Sequence, residues 1–224
     1  MGKITILPET TKNPITLIGE RAGICFGADI TDDLKNLKRG IDCIESGHGR
    51  TMDYPNVEII LEGYSARVMR EWYTHIGCLP ARLQSSTRYI DYKDFKYITP
   101  PRVCQNSKAK MIYENTMKLI SDSCRQLENL GVLREDAAML LPLGMETKVV
   151  DKRDLRSVLD MAKERMCSRA YWEYRELMKD LCEALREYSD EWKFIVDNYM
   201  KPKCEINGVC LEKNSCGRVK KGAN

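Results

Sequence analysis

The stretch REWYTHIGCLPARLQSSTRYIDY, residues 70–92, is the most informative part of the sequence. It places a set of polar side chains between a helix-like and a strand-like segment: His75, Arg82, Gln84, Ser85, Ser86, Thr87 and Arg88. Arginine offers a planar fork of donors, and hydroxyl groups are compact donors, so this junction can surround one phosphate group. We therefore expect a nucleotide monophosphate as its ligand. A polar loop with turn and capping roles explains the same composition and remains the alternative.

Segments with helical or strand periodicity lie on both sides of this stretch. The predicted helices are LKNLKRGIDCIES after the capping residues Thr31–Asp33, SARVMREWYTHIG from Ser65, the segment from Ser107 to about Leu130, EDAAMLL before Pro142, and the longest helical stretch, from about Asp154 to Tyr188. The predicted strands are VEIILEG at 57–63 and RYIDYKDFKYITPP at 88–101. The chain therefore mixes helices and strands.

The composition favours one domain followed by a tail. A chain of 224 residues with 43% hydrophobic content can bury an ordinary core. We expect residues 1–200 to form the domain and the basic residues 201–224 to form either a small knob or a mobile extension. The net charge of +3 does not indicate a nucleic-acid binder, and no segment has the apolar length of a signal peptide or a membrane span. A cytoplasmic protein that contacts neither nucleic acid nor membrane is the expectation.

The central stretch resembles the signature segment of the flavin-dependent thymidylate synthases, R-H-R-x-x-S-x-N-E-x-S-x-R. Ser86 and Arg88 match its last two defined positions, Gln84 stands in place of the Glu, and Leu83 in place of the Asn. The opening Arg-His-Arg corresponds to Thr74-His75-Ile76, and the loop between the two halves is about two residues longer. The resemblance implies an α/β (α+β) fold with a central, mostly antiparallel sheet flanked by helices and a long C-terminal helix.

The same resemblance implies a role for each matching residue. Ser86 and Arg88 would bind the phosphate and sugar of the substrate, with Gln84 near the pyrimidine. His75 and Thr74 would face the flavin, but Thr74 and Ile76 cannot supply the cationic contacts of two arginines. The remaining substitutions concern charge: Arg82 is a candidate to restore one positive charge beside the flavin, and Glu71 stands at a substrate-binding position where a Gln is common.

A second block, DLRSVLDMAKERMCSRAYWEY at 154–174, resembles the nucleotide- and flavin-binding helix of the same family. The resemblance gives the role of pyrimidine contact and activation to Arg165, and it gives flavin contacts to Asp154, Arg156, Asp160 and Arg169. Arg165 and Arg169 are four residues apart, so in a continuous helix an anion between them would relieve a like-charge repulsion. A solvated surface screened by neighbouring glutamates is the alternative.

Two further segments resemble the family in altered form. His48, Asp53 and Tyr54 correspond to an early His-x-x-x-x-Glu-His element. Ala138 stands where a phosphate-binding Arg is expected, and Arg134 is a candidate to replace it. The sequence contains only two histidines, so no histidine-based metal centre is predicted.

The activity implied by the resemblance is reductive methylation of dUMP or a related pyrimidine monophosphate. Methylenetetrahydrofolate would give the carbon, reduced FAD the hydride, and NADPH would reduce the flavin, in a homotetramer. An arginine at position 165 can stabilise the negative charge that develops on the ring, so Cys78 is interpreted as a structural thiol and not as a nucleophile. The alternatives are a different C5 modification, such as hydroxymethylation, and a non-catalytic nucleotide- or metal-binding protein on the same scaffold.

The tail contains three evenly spaced cysteines, Cys204, Cys210 and Cys216, with five residues between neighbours. Three thiolates can bind zinc or an iron–sulfur cluster if a fourth ligand comes from elsewhere, but the spacing is not the compact pair of a zinc ribbon. Free thiols on a flexible tail explain the same pattern, and no metal is predicted among the site residues.

Overall fold

The computed structural model describes residues 2–75 and 81–222. Ile76 and Cys78, which the sequence interpretation used, lie outside the described residues. The helices are α1 (Pro14–Cys25), α2 (Asp33–Glu45), α3 (Ala66–Trp72), α4 (Pro101–Cys104), α5 (Ser107–Asn129), α6 (Arg134–Ala137), α7 (Leu155–Arg165), α8 (Trp172–Tyr188), α9 (Asp190–Tyr199) and α10 (Lys203–Ile206). Short 3-10 helices cover Gly49–Asp53 and Ala138–Leu140.

The strands are β1 (Lys3–Ile6), β2 (Asn56–Ser65), β3 (Ala81–Gln84) and β4 (Glu146–Asp154). Within the described residues they form one antiparallel sheet in the order β1-β2-β4-β3. This mixed α/β architecture confirms the predicted fold class. The strand predicted at 57–63 is confirmed as part of β2.

Strand β4 carries polar residues on its buried face, and the sequence analysis did not predict it. Its inward side chains are Thr147, Val149, Asp151 and Arg153, all at most 6% exposed. A half-buried strand is normally recognised by apolar residues at every second position. Here only one of the four inward positions is aliphatic, so the sequence lacks the apolar alternation that would predict a strand.

The described chain divides into two compact units. The first contains residues 2–3, 61–74 and 83–149, and the second contains residues 4–60, 75, 81–82 and 150–222. The second unit therefore includes the described part of the tail. The predicted division into residues 1–200 and a separate tail stays a prediction.

The first unit has a core of aromatic and methionine side chains under α5. Phe95, Met117 and Met145 are buried, and the partly buried rings of Tyr97 and Tyr113 pack against them. Helix α5 confirms the prediction from Ser107, and it is followed by a glycine, residue 131, at φ +86°. A positive φ is inexpensive only for glycine, so the helix stops there.

The second unit has α1 and α2 in close contact and α8 packed against α9. A Cβ on Gly19 would lie 1.8 Å from the Asn36 carbonyl oxygen, and one on Gly40 would lie 2.0 Å from the Ile15 carbonyl oxygen. These two glycines therefore allow the α1 and α2 backbones to approach each other. Helix α2 begins as predicted, because the Asp32 side chain accepts hydrogen bonds from the first free amides.

The strand predicted at 88–101 is wrong. Short turns occupy most of this segment: the Arg88 N–H donates to Ser86 Oγ at 3.2 Å, and the Lys93 N–H donates to Asp91 Oδ1 at 2.9 Å. Tyr97 makes an isolated bridge to Met145. Ser and Asp side chains that bind nearby amides compete with strand pairing, and here they prevail over the aromatic alternation.

The continuous helix predicted from Asp154 to Tyr188 is also wrong. Helix α7 ends at Arg165 and α8 begins at Trp172, so α5 is the longest helix among the described residues. The carbonyls of Ser168 and Ala170 accept from the Arg175 guanidinium instead of from a following helical turn. Asp154 precedes α7 and caps it, with Oδ1 2.6 Å from the Ser157 nitrogen.

Candidate active site

Three side chains from separate segments of the second unit, those of His75, Arg165 and Tyr174, form one cluster. Arg165, the last residue of α7, donates from Nε to His75 Nε2 at 2.7 Å. The Arg165 guanidinium carbon lies 4.9 Å from the centroid of the Tyr174 ring, which belongs to the first turn of α8. The His75 and Tyr174 rings are 5.9 Å apart and nearly perpendicular, at 73°. The cluster therefore holds one guanidinium between an imidazole acceptor and an aromatic face.

The cluster keeps His75 neutral. Burial, together with the positive charges of Arg165 and Arg153, lowers the pKa of His75 to about 4, while Asp160 acts in the opposite direction. At neutral pH the imidazole is uncharged and has one acceptor nitrogen. This state matches the observed geometry, in which Nε2 accepts a hydrogen bond from Arg165.

A buried ion pair on β4 supports the His75 backbone. Arg153 contacts Asp151 through two hydrogen bonds, Nε to Oδ2 at 2.5 Å and Nη2 to Oδ1 at 3.1 Å, and both side chains are at most 1% exposed. Arg153 Nη1 donates to the His75 carbonyl at 3.1 Å and contacts Met161 Sδ at 2.8 Å. A buried ion pair is tolerated only with such additional hydrogen bonds. The pair therefore fixes the backbone position from which the imidazole projects.

Sequence reasoning identified His75 and Arg165 through the family resemblance and missed Asp151, Arg153 and Tyr174. The His75 contacts to Arg165 and Arg153 join residues 90 and 78 positions apart in the chain. Local periodicity carries no information about contacts at such separations. The available signal was the alternation of buried charges in the β4 sequence.

The other residues predicted to contact flavin make contacts within the protein. Arg156 donates from Nε to the Gly49 carbonyl at 3.1 Å and lies 3.1 Å from Asp53 Oδ1. Asp160 accepts from Lys163 at 2.8 Å. Arg169 lies in the loop after α7, and its Nε atom is 3.3 Å from Glu212. Because α7 ends at Arg165, the two arginines do not form the helical pair inferred from the sequence.

The upstream His-containing element lies mainly at the surface. His48 Nδ1 is 3.2 Å from Ser46 Oγ, and Asp53 is the partner of Arg156. Tyr54 is exposed, and the Arg21 guanidinium carbon lies 5.9 Å from its ring centroid. The three residues are therefore close in the chain but make separate contacts.

In the first unit, the Gln84 side chain and the Ser85 backbone are held by residues of β4. Gln84 Nε2 donates to Thr147 Oγ1 at 3.1 Å, and the Ser85 N–H donates to the Lys148 carbonyl at 2.9 Å. Ser85, Thr147 and Lys148 also line a broad open depression of about 640 Å³. The hydroxyl-rich end of the central stretch is therefore accessible to a ligand.

Two arginines of the first unit lie close to this segment. Arg88 is exposed and donates from Nε to Glu135 at 2.7 Å. Arg134, the candidate replacement at the Ala138 position, donates to the Tyr89 carbonyl at 3.0 Å. The prediction that Arg88 and Arg165 converge on one substrate stays a prediction, because these arginines belong to different units.

Three further residues were predicted to contact flavin or substrate, namely Glu71, Thr74 and Arg82. The Thr74 hydroxyl donates to the Glu71 carbonyl at 2.7 Å, closing the turn after α3. Arg82 is half-buried on β3. Their predicted contacts with flavin or substrate remain predictions.

Comparison with known proteins decides the family. Residues 7–189 match the model of the family described as thymidylate synthase complementing protein, Thy1. The chain belongs to this family. The range that matches Thy1 includes both blocks that carried the resemblance, at 70–92 and 154–174.

Individual relatives agree with the Thy1 assignment. The chain is 26% identical over 230 residues to a flavin-dependent thymidylate synthase of Nitratidesulfovibrio vulgaris, covering 93% of this chain and 91% of the relative. It is 25% identical over 243 residues to a flavin-dependent thymidylate synthase of Clostridium tetani, covering 98% and 95%. The fold matches that of thymidylate synthase X of Helicobacter pylori, solved with FAD and dUMP, with a TM-score of 0.68, 17% identity, and coverage of 90% of this chain and 100% of that one.

The described residues contain neither a membrane-spanning helix nor a preformed metal-binding group. No helix in residues 2–75 and 81–222 is long and apolar enough to cross a membrane. In the same residues, no group of three or more His, Cys, Asp or Glu side chains stands in an arrangement that could hold a metal ion.

Proposed function

We propose that this chain is a flavin-dependent thymidylate synthase that converts dUMP to dTMP. The observation that carries the proposal is the position of Arg165, which a neutral His75 and the Tyr174 ring hold at the end of α7 in a chain of the Thy1 family. The relatives from N. vulgaris and C. tetani carry the name of this activity. The related structure from H. pylori contains both FAD and dUMP.

The residues of the second-unit cluster fit planar, electron-rich ligands. A guanidinium group pairs with anionic oxygens and stacks on aromatic faces, and the Tyr174 and His75 rings already provide an aromatic boundary for Arg165. Half-burial of His75 also places the cluster partly out of bulk water. These properties suit a pyrimidine ring and an isoalloxazine ring. When bound, reduced FAD would supply the hydride that completes the new methyl group.

The protein contributes orientation and charge stabilisation. Arg165 would direct its positive charge at the pyrimidine, where negative charge develops on the ring as carbon C5 is activated to attack the carbon donor. The neutral His75 imidazole limits the rotation of the guanidinium because its Nε2 atom accepts a hydrogen bond from the Arg165 Nε–H. A fixed donor costs no reorganisation when the charge appears, which is why preorganised donors accelerate reactions.

The substrate's phosphate end would be bound by the first-unit residues Ser86 and Arg88, with Gln84 near the pyrimidine. Ser86 and Arg88 lie in a turn rich in donors, and Arg88 now binds a carboxylate, which shows that its geometry suits an anionic oxygen. The finer parts of the proposal are methylenetetrahydrofolate as carbon donor, NADPH as reductant of the flavin, a homotetramer as the active assembly, and a cytoplasmic location. Thy1 membership supports these finer parts of the proposal.

Product analysis with the purified full-length chain tests the proposal. The protein is expected to show the visible absorbance bands of oxidised flavin. With dUMP, methylenetetrahydrofolate, FAD and NADPH, mass spectrometry should detect dTMP. A colourless protein without turnover of dUMP would contradict the proposal, and a hydroxymethylated product would replace methylation with a different C5 modification.

Arginine variants assign the reaction to the cluster. Arg165→Ala should lose dTMP formation, because the charge on the ring is no longer stabilised. Arg186→Ala is the matched control: it removes an exposed arginine that pairs with Asp197 at 2.8 Å, outside every predicted site. Equal activity of the two variants would remove Arg165 from the mechanism.

A further inference from the structure

Four cysteines line one cavity in the second unit. The cavity has a volume of about 200 Å³, and its lining includes Cys167, Cys204, Cys210 and Cys216. Cys167 comes from the loop after α7, and the other three come from the tail. The fourth thiol that the evenly spaced tail cysteines lacked in the sequence is therefore supplied by a residue 37 positions before Cys204.

The tail has too little apolar burial to explain its ordered path. Of residues 201–222, only Pro202 and Cys210 are buried, and the largest aliphatic side chains, Ile206 and Leu211, are 49% and 65% exposed. Segments this short normally need a disulfide or a metal ion to hold them. The nine cysteines among the described residues are all free thiols. A metal ion is the stabilising element that agrees with both facts.

The contacts that hold the tail against the loop after α7 are mostly exposed. Arg169 pairs with Glu212, and Arg218 donates to the Met166 carbonyl, each at 3.3 Å. Within the tail, Arg218 also pairs with Glu205 at 3.3 Å. Exposed ion pairs contribute about 0–1 kcal/mol each. They bring the cysteine-bearing segments together without being strong enough to fix them.

Charge around the cavity suits a dianionic centre. Four thiolates and one divalent cation carry a net charge of −2. The other charged side chains that line the cavity are three cations, Lys163, Arg169 and Lys203, and two carboxylates, Glu164 and Glu212, so cations outnumber carboxylates.

We propose that Cys167, Cys204, Cys210 and Cys216 bind one Zn²⁺ ion in a closed, tetrahedral structural site. Binding converts four thiols and Zn²⁺ into a tetrathiolate complex and releases four protons to solvent. The four side chains of the described chain line the cavity without forming a metal-binding group as they stand. They must therefore rotate inward to the Zn–S distance of about 2.3 Å, as is usual for sites that metal binding completes.

Metal analysis of the full-length chain tests this proposal. The protein should be purified without a metal-affinity tag, incubated with Zn²⁺ under reducing conditions, and freed of unbound metal. We expect about one zinc ion per chain, released when a mercurial reagent titrates four thiols. Zinc well below one per chain, or iron in place of zinc, would overturn the proposal.

Serine variants identify the ligands. Cys167→Ser and Cys216→Ser should each reduce the zinc content at least about tenfold, because a structural tetrathiolate site needs all of its ligands. Cys25→Ser is the matched control, since Cys25 is an exposed thiol on α1 outside the cavity, and it should retain zinc. Zinc retained in Cys167→Ser would exclude the loop thiol as a ligand.

Cobalt substitution provides a readout of the coordination geometry of the bound metal. Co²⁺ bound to four thiolates gives thiolate-to-metal charge-transfer bands and the intense visible bands of tetrahedral cobalt. These bands should appear in the wild-type chain and in Cys25→Ser and be absent in Cys216→Ser. A spectrum of octahedral cobalt in the wild-type chain would contradict the proposed site.

Discussion

The cluster around His75 and the segment around Arg88 use arginine in opposite ways. In the second unit, Arg153 is 1% exposed, is bound to a buried carboxylate, and donates to the His75 carbonyl. In the first unit, the Arg88 side chain is 63% exposed and pairs with a carboxylate that is itself 46% exposed. Burial makes the Arg153 contacts rigid and costly to disturb. Solvent weakens the Arg88 ion pair, so Arg88 can exchange its partner. We infer that the second unit supplies fixed geometry and the first supplies exchangeable anion contacts.

The largest expected effect is the loss of stability when one member of the buried pair is removed. Arg153→Leu leaves Asp151 charged, buried and unpaired, which should lower the free energy of unfolding by about 3–5 kcal/mol. Chemical denaturation followed by circular dichroism measures this change. The control is Lys152→Gln, a change on the same strand as Arg153. It breaks the partly exposed ion pair between Lys152 and Glu58 of β2 and should lower the free energy of unfolding by no more than about 1 kcal/mol.

A double variant separates stability from positioning. Asp151→Leu with Arg153→Leu removes both charges, so much of the lost stability should return. The His75 carbonyl nevertheless loses its donor, and dTMP formation should stay low. If Arg153→Leu and the lysine control cost the same, the buried pair does not differ from a surface pair and the comparison fails.

The second effect concerns the rate. Arg165→Lys keeps the positive charge but replaces the planar guanidinium with a point charge. It also removes the Nε–H group that donates a hydrogen bond to His75. We expect kcat to fall about 10²–10³-fold, the cost of losing one preorganised donor. Flavin absorbance serves as the control for folding and cofactor binding. A kcat within a factor of two of wild type would show that the fixed geometry of the second unit is not needed for turnover.

The fold was predictable where local chemistry is sufficient and not where charge is buried. The Asp32 cap predicted the start of α2, and alternating β-branched residues predicted β2. Strand β4 was missed, because Asp151 and Arg153 occupy inward positions that a local pattern assigns to solvent. The same two residues are absent from the predicted site, since their contact with His75 depends on the tertiary fold.

A third effect is a dependence of stability on pH that comes from His75. Its pKa falls from 6.5 to about 4 on folding, so the unfolded chain binds a proton more readily than the folded chain. Stability is therefore complete above about pH 6.5 and declines as the pH falls toward 4. Denaturation curves between pH 4 and 7 should show less of this decline in His75→Asn than in His48→Asn. Equal curves for the two variants would show that His75 is not held neutral by its surroundings.

The smallest effect on stability, and the one most specific to the substrate, is expected at Arg88. Because its pair with Glu135 is exposed, Arg88→Ala should change the free energy of unfolding by less than about 1 kcal/mol. If Arg88 binds the substrate phosphate, the same variant should raise KM for dUMP with little change in kcat, since the phosphate contact is equal in ground and transition states.

Glu135→Gln should lower KM, because it removes a carboxylate that competes with the phosphate. Arg125→Ala is the matched control, an exposed arginine of the same unit that pairs with Asp94. An equal rise of KM in the Arg88 and Arg125 variants would reflect general surface charge. It would contradict a specific contact between Arg88 and the substrate phosphate, and with it the difference between the two regions.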